Sequence, residues 1–83
     1  MTVQNGIVEL DLHGMNTVQA KTAVDAALRR AGRATYRLRL IHGYHGGTEL
    51  QRMVRSSYAS HPKVVRIEIG LNPGETDLVL REY

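Results

Sequence analysis

The sequence predicts a two-layer α/β sandwich, and three observations predict it. Short runs of alternating apolar and charged residues mark strands. Two stripes of apolar residues at helical spacing lie between them, and turn or capping residues fall at the boundaries. The resulting order is β-α-β-α-β-β. Its β-α-β crossovers should be right-handed, with both helices on one sheet face if the strands step steadily in one direction. With 83 residues, 42% hydrophobic and 23% charged, the chain falls in the globular range and is read as one domain spanning residues 1–83.

The elements follow in chain order. "GIVELDL" (residues 6–12) sets Val8, Leu10 and Leu12 against Glu9 and Asp11, the two-residue period of a half-buried strand. A helix is predicted over residues 16–31, with Ala20, Ala23, Val24, Ala27, Leu28 and Ala31 on one stripe. Asn16 caps it with Gln19 three residues on, and Gly32 supplies a left-handed stop.

"TYRLRLIHG" (residues 35–43) predicts the second strand, with Tyr36, Leu38 and Leu40 on one side and Arg37 and Arg39 on the other. The second helix begins at a Thr48–Gln51 capping box, carries Leu50, Met53, Val54, Ser57 and Tyr58 on a stripe, and ends before His61-Pro62. "VVRIEIG" (residues 64–70) predicts the third strand, with Val65, Ile67 and Ile69 inward. "TDLVLRE" (residues 76–82) predicts the fourth, joined to it through an Asn72-Pro73-Gly74 turn. The sheet face away from the helices should carry Glu9, Asp11, Arg37, Arg39, Arg66, Glu68, Asp77 and Arg81 as cross-strand ion pairs.

Cysteine is absent, so disulfides and thiolate metal sites are excluded and a cytoplasmic protein is expected. No basic leader precedes an apolar block, and no window approaches the ~20 apolar residues of a membrane span. The net charge is +3, with nine arginines and two lysines. Between Arg29 and Arg66 the basic residues face one acid, Glu49, whereas Glu9, Asp11, Glu68, Glu75, Asp77 and Glu82 gather toward the ends. A basic, arginine-rich middle suits a polyanion, because the planar guanidinium matches phosphate, although a solvated arginine surface has the same composition.

Chemistry-bearing residues concentrate where two strands end. Asp11 and His13 share a side of the first strand, where the carboxylate can fix an imidazole tautomer or bond the loop backbone instead. If both helices are crossovers, His42 arrives at the same carboxyl-terminal edge, where open α/β sheets place ligands. By parity, His42 belongs to the inward series of Leu38 and Leu40 and is buried unless a turn begins there. "HGYHGGTEL" (residues 42–50) then brings His45, the Gly46 and Gly47 amides at a helix start, and Tyr44, which can stack on a base or rest on its loop. No Walker A lysine follows these glycines, so nucleotide hydrolysis of that type is disfavoured.

"LDLHGM" (residues 10–15), the His-Gly turn at residues 42–47 and "NPGETDLVL" (residues 72–80) together resemble the small MutS-related (Smr) domain family. The resemblance implies a sandwich like the C-terminal domain of translation initiation factor 3, and nucleic-acid binding with nicking endonuclease or ribonuclease activity in some members. It maps the family's functional motifs onto Asp11 and His13, and onto His42 and Gly43. The usual second glycine of the His-Gly turn is replaced by His45.

The combined expectation is a DNA- or RNA-binding domain that cleaves phosphodiester bonds in structured nucleic acid. Asp11, His13, His42 and His45 are the catalytic candidates. Arg37, Arg39, Arg52, Arg55, Gly43, Tyr44, Gly46 and Gly47 are the candidates for binding. Cleavage would be metal-assisted or histidine-assisted: Asp11 would orient His13 or ligate a Mg²⁺ ion, the candidate cofactor, while His42 or His45 would transfer protons, and no organic cofactor is expected. A monomer is expected, with no membrane association and with targeting by a partner protein or by substrate shape. The alternatives are a nucleic-acid-binding module that does not cut and a protein-interaction domain.

Overall fold

A computed structural model describes residues 2–43, 49–69 and 72–81. The elements are β1 (Thr2–Gln4), β2 (Ile7–Asp11), α1 (Thr17–Arg30), β3 (Arg37–Ile41), α2 (Glu49–Ser57), β4 (Arg66–Glu68) and β5 (Glu75–Val79). They form one five-stranded sheet in the order β1-β2-β3-β5-β4. β2 and β3 are parallel, while β5 runs antiparallel to both β3 and β4. The predicted β-α-β-α-β-β order is present, but the strands do not step steadily. After α2 the chain skips a position to form β4, and β5 returns to fill the gap.

The predicted order did not include β1. Asn5 and Gly6 both have positive φ (53° and 80°), and Gln4 pairs directly with Ile7. This two-residue Asn-Gly connection matches the right-handed twist of a hairpin. Gly6 is required twice over, since an added Cβ would lie 2.6 Å from Tyr36 Cδ1 and 2.8 Å from the Ala34 carbonyl. The Gly6 carbonyl also accepts the Tyr36 amide at 2.9 Å.

The predicted capping box of α1 is present. The Gln19 amide donates to Asn16 Oδ1 at 2.8 Å, and the Asn16 amide donates to Gln19 Oε1 at 3.0 Å. Arg29 and Arg30 in the last turn suit the negative end of the helix dipole. The stop differs from the expectation at Gly32. Ala31 closes the helix in an extended conformation (φ −62°, ψ 118°), and Gly32 is not among the positive-φ residues. Lys63 Nζ donates to the Leu28 carbonyl at 3.0 Å from outside the helix, beside the Ala31 amide at 3.3 Å.

One core joins the layers. Ala20, Val24, Ala27 and Leu28 of α1 meet Val8, Leu12, Leu38, Leu40 and Leu78 from the sheet, with Val54, Tyr58 and Val64 closing the far side. Ser57, predicted on the apolar stripe, is exposed; the core position at this end of α2 goes to Tyr58, which is 0% exposed. The third predicted strand shortens to three residues, and Val65 and Ile69 are 56% and 60% exposed rather than inward. β4 is the sheet's last strand, and both residues flank it; the Val65 amide donates to the Val79 carbonyl at 2.7 Å, opposite which Arg66 is already paired, and Val64 takes the buried position instead. The Thr48 cap, Gly70 and Glu82 lie outside the described residues.

The opposite sheet face carries cross-strand ion pairs among Glu9, Arg37, Arg39, Glu68 and Asp77, as expected, whereas Arg66 pairs with Glu68 along its own strand and Asp11 accepts the His13 amide instead. Arg37 Nη1 lies 2.7 Å from both Glu68 Oε1 and Asp77 Oδ2. Arg39 Nε lies 3.1 Å from Asp77 Oδ1, with Glu75 and Glu9 at 3.9 and 4.0 Å. The hydrogen bond from each arginine to Asp77 is the main reason both guanidiniums hold their protons more tightly than usual. Val79 is 2% exposed on this face, between its register partners Arg37 and Arg66, whose aliphatic stems can cover it.

Tyr58 fastens α2 to α1. Its hydroxyl donates to Asp25 Oδ1 at 2.7 Å, and Lys21 Nζ sits 5.4 Å above its ring while pairing with Asp25 at 3.1 Å. Burial, then the hydrogen bond to Asp25, pushes the phenol's pKa well above its ordinary value. Burial works against the Asp25 carboxylate, but hydrogen bonds from Tyr58 and Lys21, with the Lys21 and Arg29 charges, hold its pKa below the usual range.

For the phenol the folded-state pKa is the higher one, so its contribution is fully present below pH ~10 and is lost as pH rises beyond that value. Tyr58→Phe is therefore expected to flatten the alkaline fall of Tm above pH ~10. It should also cost about 1–2 kcal/mol at neutral pH through the lost bond to a charged acceptor. Thermal melts from pH 6 to 11 check both; an unchanged alkaline limb would assign that fall to other groups.

Candidate functional site

The carboxyl ends of β2 and β3 bring the first two motifs together. Asp11 is paired in register with Ile41, and the Leu12 amide donates to the Ile41 carbonyl at 2.8 Å. The ladder thus continues one step past β2 before the chain turns at His13 and Gly14, with Gly14 at φ 84°. Of the two roles open to Asp11, the structure shows the backbone one. Its Oδ1 accepts the His13 amide at 2.9 Å, closing the turn and orienting His13 through the main chain. The His13 side chain is exposed.

The second motif ends against the first. Gly43 has φ 75°, and a Cβ there would lie 3.4 Å from His13 Cδ2. The positive φ, rather than lack of space, is what demands glycine at this point.

His42 follows the parity of Leu38 and Leu40 and is 5% exposed, although β3 ends at Ile41. Its Nδ1 is 2.8 Å from the Gly43 carbonyl, which can only accept, so Nδ1 carries a hydrogen. Its Nε2 is 2.9 Å from Thr76 Oγ1, and Arg55 Nε donates to that same oxygen at 3.3 Å. With Nε2 unprotonated, the buried series runs from the Arg55 N–H to the Thr76 hydroxyl, to the His42 ring and on to the Gly43 carbonyl. Every polar atom in it has a partner. No buried side-chain nitrogen or oxygen among the described residues lacks one.

The third motif locks this arrangement. Both the His42 and Gly43 amides donate to the Gly74 carbonyl at 3.0 Å. Gly74 is positioned by its own amide, which donates to Asn72 Oδ1 at 2.9 Å. Gln51 Nε2 reaches the Pro73 carbonyl at 3.4 Å, tying α2 to the same turn. "LDLHG", "HG" and "NPGET", far apart in sequence, are therefore one bonded unit at one edge.

The structure places Asp11, His13, His42, Gly43 and Arg55 at this edge. Arg52 is exposed on α2. Arg37 and Arg39 sit on the charged sheet face, each engaged with carboxylates. His45, Tyr44, Gly46 and Gly47 lie outside the described residues. Sequence reasoning missed Thr76 as a site residue and Gly74 as the clasp. The signal for Thr76 was present: a polar residue in an inward series with Leu78, sharing a sheet with an inward histidine.

Mg²⁺ requires a nearly octahedral oxygen shell. Among the described residues no group of three or more His, Cys, Asp or Glu side chains is placed to hold a metal ion, and one oxygen of Asp11 is engaged by the His13 amide. No helix among the described residues is long and apolar enough to cross a membrane.

Comparison with known proteins agrees with this arrangement. A search of solved structures finds the crystal structure of the Smr domain of Thermus thermophilus MutS2, with a TM-score of 0.80 and 31% identity. The match covers 90% of this chain and 99% of that one. No curated protein sequence matches. The Smr domain family model matches residues 10–74, which span all three motifs up to the Gly74 clasp: the chain belongs to the Smr domain family.

Proposed function

We propose that this domain binds structured DNA or RNA in the cytoplasm and cleaves a phosphodiester bond at the edge where His13 meets Gly43. The observation carrying this reading is the juxtaposition itself. An exposed imidazole, with no hydrogen-bond partner among the described residues, stands beside a glycine that has no side chain to screen its backbone. A phosphodiester can approach closely there, and the ring is free to take or give a proton.

In this reading His13 takes the proton of the attacking oxygen as that oxygen bonds to phosphorus and the bond to the leaving sugar oxygen breaks, the leaving oxygen taking a proton from water. Asp11 acts as a positioning residue, through its bond to the His13 amide. Arg52, exposed on α2, and Arg55, anchored on Thr76, hold neighbouring phosphates. A phosphate at Arg37 or Arg39 would have to displace Asp77, so these two contribute to the sheet more than to binding. His42, with both ring nitrogens engaged, supports the edge. The family resemblance favours the same reading. Targeting by a partner or by substrate shape accords with so small a binding surface.

One observation favours a binding module that does not cut: only one imidazole among the described residues at this edge has uncommitted nitrogens. The two readings separate on branched DNA, single strands and structured RNA, assayed with the purified chain and its His13→Ala and Asp11→Ala variants. Cleavage lost in His13→Ala and weakened in Asp11→Ala supports catalysis. Salt-dependent binding without cleavage by any of the three leaves the module reading. Equal cutting by all three overturns the site.

A further inference from the structure

We propose that two copies of this chain pair through the outer edge of β4, antiparallel and centred on Ile67, joining their sheets into one. β4 ends the sheet, and its register with β5 shows which main-chain groups it leaves unused. The Leu80 amide donates to the Tyr36 carbonyl at 2.7 Å, so Leu80 and, by alternation, Leu78 direct their main-chain groups at β3. Asp77 and Val79 direct theirs at β4, toward their partners Glu68 and Arg66, and the Val79 carbonyl also accepts the Val65 amide at 2.7 Å, so that amide is turned into the sheet and takes no part in pairing beyond the edge. That leaves the Ile67 amide and carbonyl, and by the same alternation the Ile69 amide, aimed out of the sheet.

The side chains argue for a second copy rather than a foreign strand. The segment Val65-Arg66-Ile67-Glu68-Ile69 is complementary to itself when reversed about Ile67. Ile67 then meets its own mate, Val65 faces Ile69 through its side chain and not its amide, and Arg66, already 2.8 Å from Glu68 of its own strand, faces Glu68 of the other copy, so the two ion pairs meet across the seam with opposite charges opposed. Val65 and Ile69 are the large apolar residues left exposed at this edge, at 56% and 60%. A parallel, in-register pairing would instead set Arg66 against Arg66 and Glu68 against Glu68, so the charges select the antiparallel arrangement.

Edge strands are usually blunted by proline, lysine or a bulky cover. Here Pro62 and Lys63 precede the strand, and no such residue interrupts the five-residue segment. Antiparallel pairing would direct the two His13–Gly43 edges toward opposite ends of the joined sheet.

Sedimentation velocity and light scattering over a concentration series test this. The apparent mass is expected to rise from one chain toward two between roughly 10 µM and 1 mM, as suits a small interface. Ile69→Lys and Arg66→Glu should each hold the mass at one chain, with unchanged circular dichroism confirming that both fold. Glu68→Arg alone should do the same. Mixing the Arg66→Glu and Glu68→Arg chains should restore association, because each arginine then faces a glutamate. A wild-type chain that stays single to about 1 mM overturns the proposal and leaves the edge to a different strand. A dimer unaffected by Ile69→Lys also overturns it, by moving the interface elsewhere.

Discussion

His13→Ala is expected to lower the rate of the proposed phosphodiester cleavage by roughly 10²–10⁴-fold, the range for removing a positioned proton carrier. That corresponds to about 2.7–5.5 kcal/mol of barrier. The fold should barely respond, because the side chain is exposed and its removal opens no core cavity; a stability change within ~0.5 kcal/mol is expected. Single-turnover cleavage, with binding measured on the same substrate, separates the effects. Rate should fall while affinity changes little, and His13→Gln, which keeps a polar side chain but no titratable ring, should not recover the rate. A loss of less than about threefold would remove His13 from proton transfer, since general acid–base roles contribute far more.

Thr76→Val should act in the opposite way, through stability. The substitution preserves the β-branched shape at a position 0% exposed. It takes away the hydroxyl that His42 Nε2 and Arg55 Nε share. A buried ring nitrogen left without a partner costs about 1–3 kcal/mol, and an 83-residue domain loses ~4–8 °C in Tm per kcal/mol. A fall of roughly 10 °C is the expected result, with Thr76→Ser recovering most of it. Activity measured well below that Tm should stay close to wild type, because the Gly74 clasp on the His42 and Gly43 amides is main chain and survives. A Tm unchanged by Thr76→Val would mean that the series from Arg55 to His42 contributes nothing to folding.

Much of the fold was legible in the sequence because its signals are local. Val8, Leu10 and Leu12 alternate with acids, Asn16 and Gln19 make a capping box, and Arg37 and Arg39 alternate with leucines. Each pattern is decided by neighbours within a few residues. The elements that were misread depend on distant partners. Gly32 resembles a helix stop, but Lys63, which bonds Leu28, comes from another part of the chain. Val65 and Ile69 alternate like buried residues, but they flank β4, which β5 leaves at the border by inserting itself between β3 and β4, and Val64 takes the buried position. The Asn5-Gly6 hairpin is a local signal too, but the strand it leads from is only three residues long, too short for alternation to mark.

By itself the sequence determined the element order, the charged sheet face, the meeting of Asp11, His13 and His42 at one edge, and the Smr resemblance. Only the tertiary structure decided what each of those residues does there. Asp11 spends an oxygen on the His13 backbone, His42 is bonded to Thr76 under Gly43, and His13 is left exposed beside it. The physical reason is that residue type and periodicity state which groups can form hydrogen bonds. Which of them remain available for chemistry is set by partners such as Thr76 and Gly74, more than thirty positions away along the chain.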